Sequence, residues 1–258
     1  LVAGGNTSDL VLNDHVTAGD DLHFRAGRDL LQPSADTFVT ADSAALEAGR
    51  LIGASAGAEA IDLRVNVVGA RSGQLLGPAP IFLNQDVLGG TLTVGPANDL
   101  IVGAGTIDGA VVDPAAGGDV SVATEAADLV ATRNVTAAGP GQVTLSAGGS
   151  DATFTLAAGA AVDTDNQAIT ITADHMNLDG NGGGTIGSDA ETITLRQQTA
   201  AAEVRFVPDG EPDTAGVLRL DDVDLNALAN TAGLTIIGRP DGGAITVADA
   251  TDLSADSA

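Results

Sequence analysis

"AITITADHMNLDGNGGGTIG", Ala168 to Gly187, holds one of three histidines, the only methionine, two aspartates and a glycine cluster within twenty residues. It reads either as a metal or nucleotide site, or as a strand, a corner and another strand. Ala168 to Thr172 alternates apolar and polar residues, the period of a half-buried strand. Asp179-Gly180-Asn181-Gly182 then supplies what a tight corner needs, glycine for positive φ and Asp or Asn to cap the turn. A metal set would require a second imidazole or clustered carboxylates at coordinated spacing, and Asp174, His175 and Asp179 form only a loose trio. The stretch therefore reads as architecture, with His175 at a solvent-facing strand end and no metal ligands assigned.

The same pattern recurs along the chain. Short alternating segments bounded by Gly, Asp, Asn or Pro are expected as strands at 10–12, 22–24, 37–39, 61–67, 91–94, 100–102, 119–122, 129–131, 142–145 and 153–156. Others follow at 168–172, 193–195, 203–207, 217–220, 234–237 and 244–247. Long amphipathic helices are absent from the pattern. The 34 glycines and the frequent Thr, Val and Ile favour strands and tight turns.

Composition limits how such strands can pack. The 258 residues are 44% apolar, enough for a core, but include five Phe (24, 38, 82, 154 and 206), one Met and neither Trp nor Tyr. A sandwich interior usually draws on large residues from two sheets, whereas a parallel coil stacks like on like and fills a narrow interior with Val, Leu, Ile and Ala. The expected fold is thus all-β, a right-handed parallel β-helix or solenoid, and a fragment of a longer rod. At roughly 20 residues per coil and about 4.8 Å between coils, the chain makes on the order of 12 coils. No fixed period aligns, which argues against a strict calcium-binding nonapeptide roll; "GGSDATFTL" (148–156) is a single loose echo of that motif.

Charge and cysteine count exclude several functions. Ten basic residues, all Arg, face 35 acidic ones, for a net charge of -25. Such a chain repels phosphate backbones and anionic lipid, so nucleic acid and membrane surfaces are not expected partners. An Asp-rich, lysine-free surface also suits high salt. Without cysteine there is no disulfide, thiolate metal site or cysteine nucleophile. No apolar run reaches 18 residues, so no membrane span is expected. Leu1-Val2-Ala3-Gly4-Gly5 begins in mid-pattern without a signal segment, as a piece of something longer would.

Residues 171–253 carry a more specific likeness. "LDGNGGGTIGS", "ITLRQQT", "LRLDDVDLNAL", "LTIIG" and "GGAITV" together resemble the repeat module of very large filamentous-haemagglutinin-like exoproteins of two-partner secretion. Looser phrases upstream, such as "VTAGDDLHFRAGRDL", resemble that family's degenerate coils. The resemblance divides the chain into 1–170, degenerate coils, and 171–258, a haemagglutinin-like repeat module continuous with them. It implies a right-handed β-helix serving as adhesin or stalk at the cell surface, with an outer-membrane transporter for the full-length chain. The family's secretion domain and any toxin-like region are missing from this sequence.

Enzyme motifs lack their structural context. "GASAG" (53–57) satisfies G-x-S-x-G around Ser55, but a strand rather than a long helix follows it. "GGGTIG" (182–187) satisfies G-x-G-x-x-G, but again a turn and strand come next. A carbohydrate-active β-helix, a lyase or glycosidase, would use convergent acids, and the adjacent pairs Asp20/Asp21 and Asp221/Asp222 point to opposite strand faces. The threonine pairs at 91–93, 153–155, 170–172 and 192–194 are unevenly spaced, so a flat ice-matching array is not expected.

The function expected is a structural or adhesive shaft of a giant secreted surface protein, with a carbohydrate-active enzyme as the alternative. It needs no catalytic residues and no cofactor. Its partners would be components of the cell surface or of neighbouring cells, and other copies of the chain in filaments or bundles. Two stretches look like loops leaving the coil, 69–86 and 207–216, and they nominate Arg71, Asp209 and Glu211 as surface contacts.

Overall fold

The computed structural model describes residues 1–57, 59–75, 77–86, 90–99, 105–178, 182–187, 192–228 and 233–247, with the side chains of 99 and 105 left aside. The strand expected at 100–102, and Asp179 with the first half of its corner, lie outside the described residues.

Alternation of apolar and polar residues is realised as an all-β fold with one five-residue helix, Asp222–Asn226, among the described residues. Nearly every strand pair is parallel. A nine-stranded sheet runs, in spatial order, through Leu234–Ile237, Thr192–Arg196, Ala168–Thr172, Val143–Ser146, Val120–Thr124, Ile81–Gln85, Ile61–Arg64, Val39–Thr40 and Val16–Thr17. Register in its centre brings Val120, Val143, Ile169 and Ile193 side by side, at spacings of 23, 26 and 24 residues.

A twelve-stranded sheet begins with Val2–Ala3 followed by three long strands in register, Asp21–Ala26, Ser43–Ala48 and Val67–Ser72. The last of these then serves two partners. Its first half pairs with Leu92–Val94 and its second with Ala110–Val112. Two ribbons continue from there, one through Leu129–Ala131, Thr153–Leu156 and His175–Leu178, the other through Val135–Ala137, Ala161–Thr164 and Thr185–Ile186.

Because each strand lies beside its counterpart on the preceding turn, like residues stack on like. Leu83, Val122, Leu145, Ile171 and Leu195 form one inward column, each at most 1% exposed. Leu92, Leu129, Phe154 and Met176 form another. Small aliphatics thus suffice, as the composition requires, and the interior carries only two fully buried aromatic rings, Phe24 and Phe154.

Two insertions interrupt the regular spacing. The first is an antiparallel hairpin, Pro96–Asp99 with Gly105–Asp108. It lies on the outer face of the three long strands, where Ala97 and Ile107 bury Ala45 in a small core of their own. Gly69 makes this possible, since a Cβ there would sit 2.3 Å from the Ile107 carbonyl oxygen. The second insertion adds a three-stranded parallel sheet, Val217–Leu220, Glu203–Phe206 and Ile245–Val247, and the helix. With these insertions the fold fits fewer stacked layers than a uniform 20-residue coil would give.

One expectation is corrected. The stretch 69–86 is not one loop: residues 69–72 complete the strand Val67–Ser72, and Ile81–Gln85 is central in the nine-stranded sheet. The small residues Gly69, Ala70 and Ser72 resemble loop composition but are held by ladder pairing, Gly69 with Ala45, Ala70 with Leu46 and Ala110, and Ser72 with Val112. The threonines are also more ordered in space than in sequence, since register stacks Ser121, Thr144, Thr170 and Thr194 in one outward column. The next outward column is Ala123, Ser146, Thr172 and Arg196, with Arg196 Nε donating to Thr172 Oγ1 at 2.9 Å. A flat hydroxyl lattice is therefore not formed.

Stacking predicts a sharp inward and outward contrast at neighbouring positions. Leu145→Ala removes a column member and is expected to cost about 2 to 5 kcal/mol in denaturant unfolding. Thr144→Ala, one residue away and exposed, is expected to stay within about 0.5 kcal/mol of wild type.

Candidate functional surfaces

Of the three nominated contact residues, one is on a strand and two are on a connection. Arg71 is on Val67–Ser72, with its side chain 45% exposed and its Nη2 donating to Glu47 Oε1 at 2.7 Å. Register places it in an outward row, Arg25, Glu47 and Arg71. Asp209 and Glu211 lie on the connection between Glu203–Phe206 and Val217–Leu220. Both are exposed, and Glu211 comes within 4.0 Å of Arg205.

His175 is not the solvent-facing strand end that the sequence suggests. It is 7% exposed, with Nε2 3.7 Å from Asp151 Oδ1. Its neighbour Asp174 is buried because it ties successive turns together: Asp151 N and Thr199 N donate to its carboxylate at 3.0 and 2.7 Å, and Thr199 Oγ1 donates as well. Burial raises the Asp174 pKa, but these hydrogen bonds outweigh it and hold the carboxyl below the usual range. Among the described residues, no three His, Asp or Glu side chains converge as metal ligands.

The other motif residues have structural partners. Ser55 is exposed and donates to Glu59 Oε2 at 2.9 Å, within a bend whose flanking Gly53 and Gly57 have φ of +70° and +81°. Gly182–Gly187 contains the strand residues Thr185–Ile186, and the next described element is the strand Thr192–Arg196. Asp21 accepts from Ser43 and Asn98. Asp221 caps the short helix in a reciprocal box with Asp224 and accepts from Arg219 Nη2 at 2.6 Å.

A cleft that no sequence motif signals lies on the outer face of the nine-stranded sheet. It encloses about 430 Å³ and is lined in part by Phe38, Asp62, Asn84, Asp86, Ser121 and Glu125. Asn84 Nδ2 donates to Asp62 Oδ1 at 2.8 Å and to Glu125 Oε1 at 3.0 Å, so one amide links the two carboxylates. Gln32 Nε2 holds the other Asp62 oxygen at 2.8 Å from below. Burial raises the Asp62 pKa, and the nearby Glu125 and Asp86 add to it, against the hydrogen bonds from Asn84 and Gln32. Arg64 pairs with Asp86 at 2.8 Å and covers one Phe38 face at 3.6 Å, while His15 stacks parallel to the same ring.

No protein-family model matches the chain, and no curated protein or solved structure proves similar to it. The likeness to haemagglutinin-like modules rests on the sequence phrases alone. No helix among the described residues is long and apolar enough to cross a membrane.

Among the described acids Asp224 is the most perturbed, 3% exposed and raised to about 7, chiefly by burial and further by the Asp221 charge. Hydrogen bonds from Leu178 N and Asp221 N, and the charge of Arg219, act the other way. A folded pKa above the unfolded value of 3.8 means that protonation stabilises the fold. That contribution is complete below about pH 4 and is lost as pH rises through about 7. Asp224→Asn is expected to flatten the fall in melting temperature across this window, leaving the part due to Asp62. An unchanged slope would contradict the assignment.

Proposed function

We propose that the chain is a structural and adhesive shaft segment of a large secreted cell-surface protein, wound as a right-handed parallel β-helix. The observation that carries this reading is the unbroken nine-stranded parallel sheet, which starts at Val16 and is still adding strands at Ile237. A stack in which every layer contacts only its neighbours extends by repetition and suits a stalk. The apolar residues exposed on its outermost strands also support it: Val2 and Val11 on early strands, and Leu234, Ile236, Ile245 and Val247 on the last ones. Such edges accept a further layer or a second copy.

On this reading the chain acts outside the cell, in cell-cell or cell-surface attachment, and the full-length protein crosses the outer membrane through a dedicated transporter. Arg71, Asp209 and Glu211 remain its candidate contacts with a partner. The experiment that tests it is sedimentation combined with electron microscopy of the segment. Elongated particles that associate end to end are expected, with Ile245→Lys plus Val247→Lys suppressing association. Compact particles with no concentration dependence would argue against a shaft.

The linked Asp62 and Glu125 favour a second reading, a carbohydrate-active enzyme. Two carboxylates in unlike environments, one buried with a raised pKa and one exposed, are what acid and base roles in glycoside hydrolysis require. Assay against a panel of polysaccharides tests it. Activity that Asp62→Asn lowers at least about 100-fold would put the enzyme first, and no turnover would leave the shaft.

A further inference from the structure

A second cleft, of about 330 Å³, opens beside the row formed by Arg25, Glu47 and Arg71. Its floor is main chain. Gly5, Gly27 and Gly49 succeed one another on neighbouring turns, so tightly that a Cβ on Gly27 would lie 1.7 Å from the Gly5 carbonyl oxygen, and one on Gly49 2.2 Å from that of Gly27. Its walls include Arg25, Glu47 and Gln74.

The charges in this cleft are unevenly used. Glu47, 3% exposed, accepts from Arg71 and, at 2.6 Å, from Gln74 Nε2, both at Oε1. Arg25 approaches the same carboxylate with Nε, 3.5 Å from Oε2, without a hydrogen bond. Its two terminal nitrogens carry no hydrogen bond among the described residues, and its side chain is 38% exposed. Two guanidinium groups against one carboxylate leave a local positive charge in a chain of net charge -25. Gln74 spends one N–H on Glu47 and keeps a second N–H and its carbonyl oxygen for other partners.

We infer that this cleft binds a hydroxylated carboxylate, such as the uronic acid unit of an acidic saccharide. The ligand carboxylate pairs with the terminal nitrogens of Arg25, the forked geometry that planar guanidinium offers. Ligand hydroxyls meet Gln74 and the bare backbone of the glycine floor. Glu47 and Arg71 are positioning residues that fix Arg25 and need not touch the ligand. Repulsion from the acidic surface is no obstacle at physiological salt, where screening sets in beyond about 8 Å. The inference stands independently of whether the chain is a shaft.

The test is titration of the isotope-labelled protein with sodium D-glucuronate, a linear tri-uronate and D-glucose, followed by amide shifts. Glucuronate should saturate with shifts at Gly4, Gly27, Gly49 and Gln74, and glucose should not. Arg25→Ala should weaken binding at least about tenfold. Gly4→Leu should block the site without disturbing the fold, because a Cβ at Gly4 meets no atom within 4 Å. Arg133→Ala, on an exposed pair with Asp108, should bind like wild type. Tighter binding of the tri-uronate would assign the site to a polymer, and equal binding would assign it to small free acids. The inference is overturned if nothing saturates by about 10 mM, if glucose binds equally, or if Arg25→Ala binds as wild type does.

Discussion

The parallel backbone ladder is the constraint on which everything else depends. Once Val120, Val143, Ile169 and Ile193 share a register, every side chain between them is assigned inward or outward, because a slip of one residue would turn each strand inside out. The interior then needs only residues of similar width on successive layers. That is why a chain without Trp or Tyr can bury a continuous core of Val, Leu, Ile and Ala.

The same ladder imposes an electrostatic problem, since stacked strands bring like positions within about 4.8 Å. An acidic chain would place carboxylate over carboxylate. The scarce arginines are spent against this. Arg28 lies between Asp9 and Asp29, Arg50 returns to Asp29, Arg64 meets Asp86, and Glu47 lies between Arg25 and Arg71. The arginines are partly exposed while Asp29 and Glu47 are buried, and alternation of sign along the stack removes a repulsion that register would otherwise enforce. Where amides replace arginine, as in Gln32, Asp62 and Asn84, a carboxyl is left buried and its pKa is raised.

Legibility in the sequence followed side-chain size. Leu129–Ala131, Thr153–Leu156, Ala168–Thr172 and Val217–Leu220 are the strands the alternation marks residue for residue, because large apolar residues sit at every second position. Val135–Ala137, Ala161–Thr164 and His175–Leu178 are hidden among turn residues, and only ladder pairing makes them strands, on both sides for the first two and on one side for the third. The hairpin at 96–108 was invisible because Pro96, Asn98 and Asp99 read as loop, and its partner is the outside of a sheet rather than a core. The helix at Asp222–Asn226 is too short to show a period. Neither cleft was legible, for one reason: Arg25, Glu47 and Arg71, like Asp62, Asn84 and Glu125, become neighbours only through register, and the two insertions obscure the repeat that would reveal it.

The register itself is open to direct measurement, since the chain contains no cysteine. Thr144 and Thr170 are outward partners on adjacent strands, and Thr172 stands two residues along. A Thr144→Cys, Thr170→Cys pair should form a disulfide under mild oxidation, because directly opposed residues fall within the Cα separation a disulfide spans. A Thr144→Cys, Thr172→Cys pair should stay reduced. Failure of the first pair to close, or preferential closure of the second, would contradict the stacked parallel architecture.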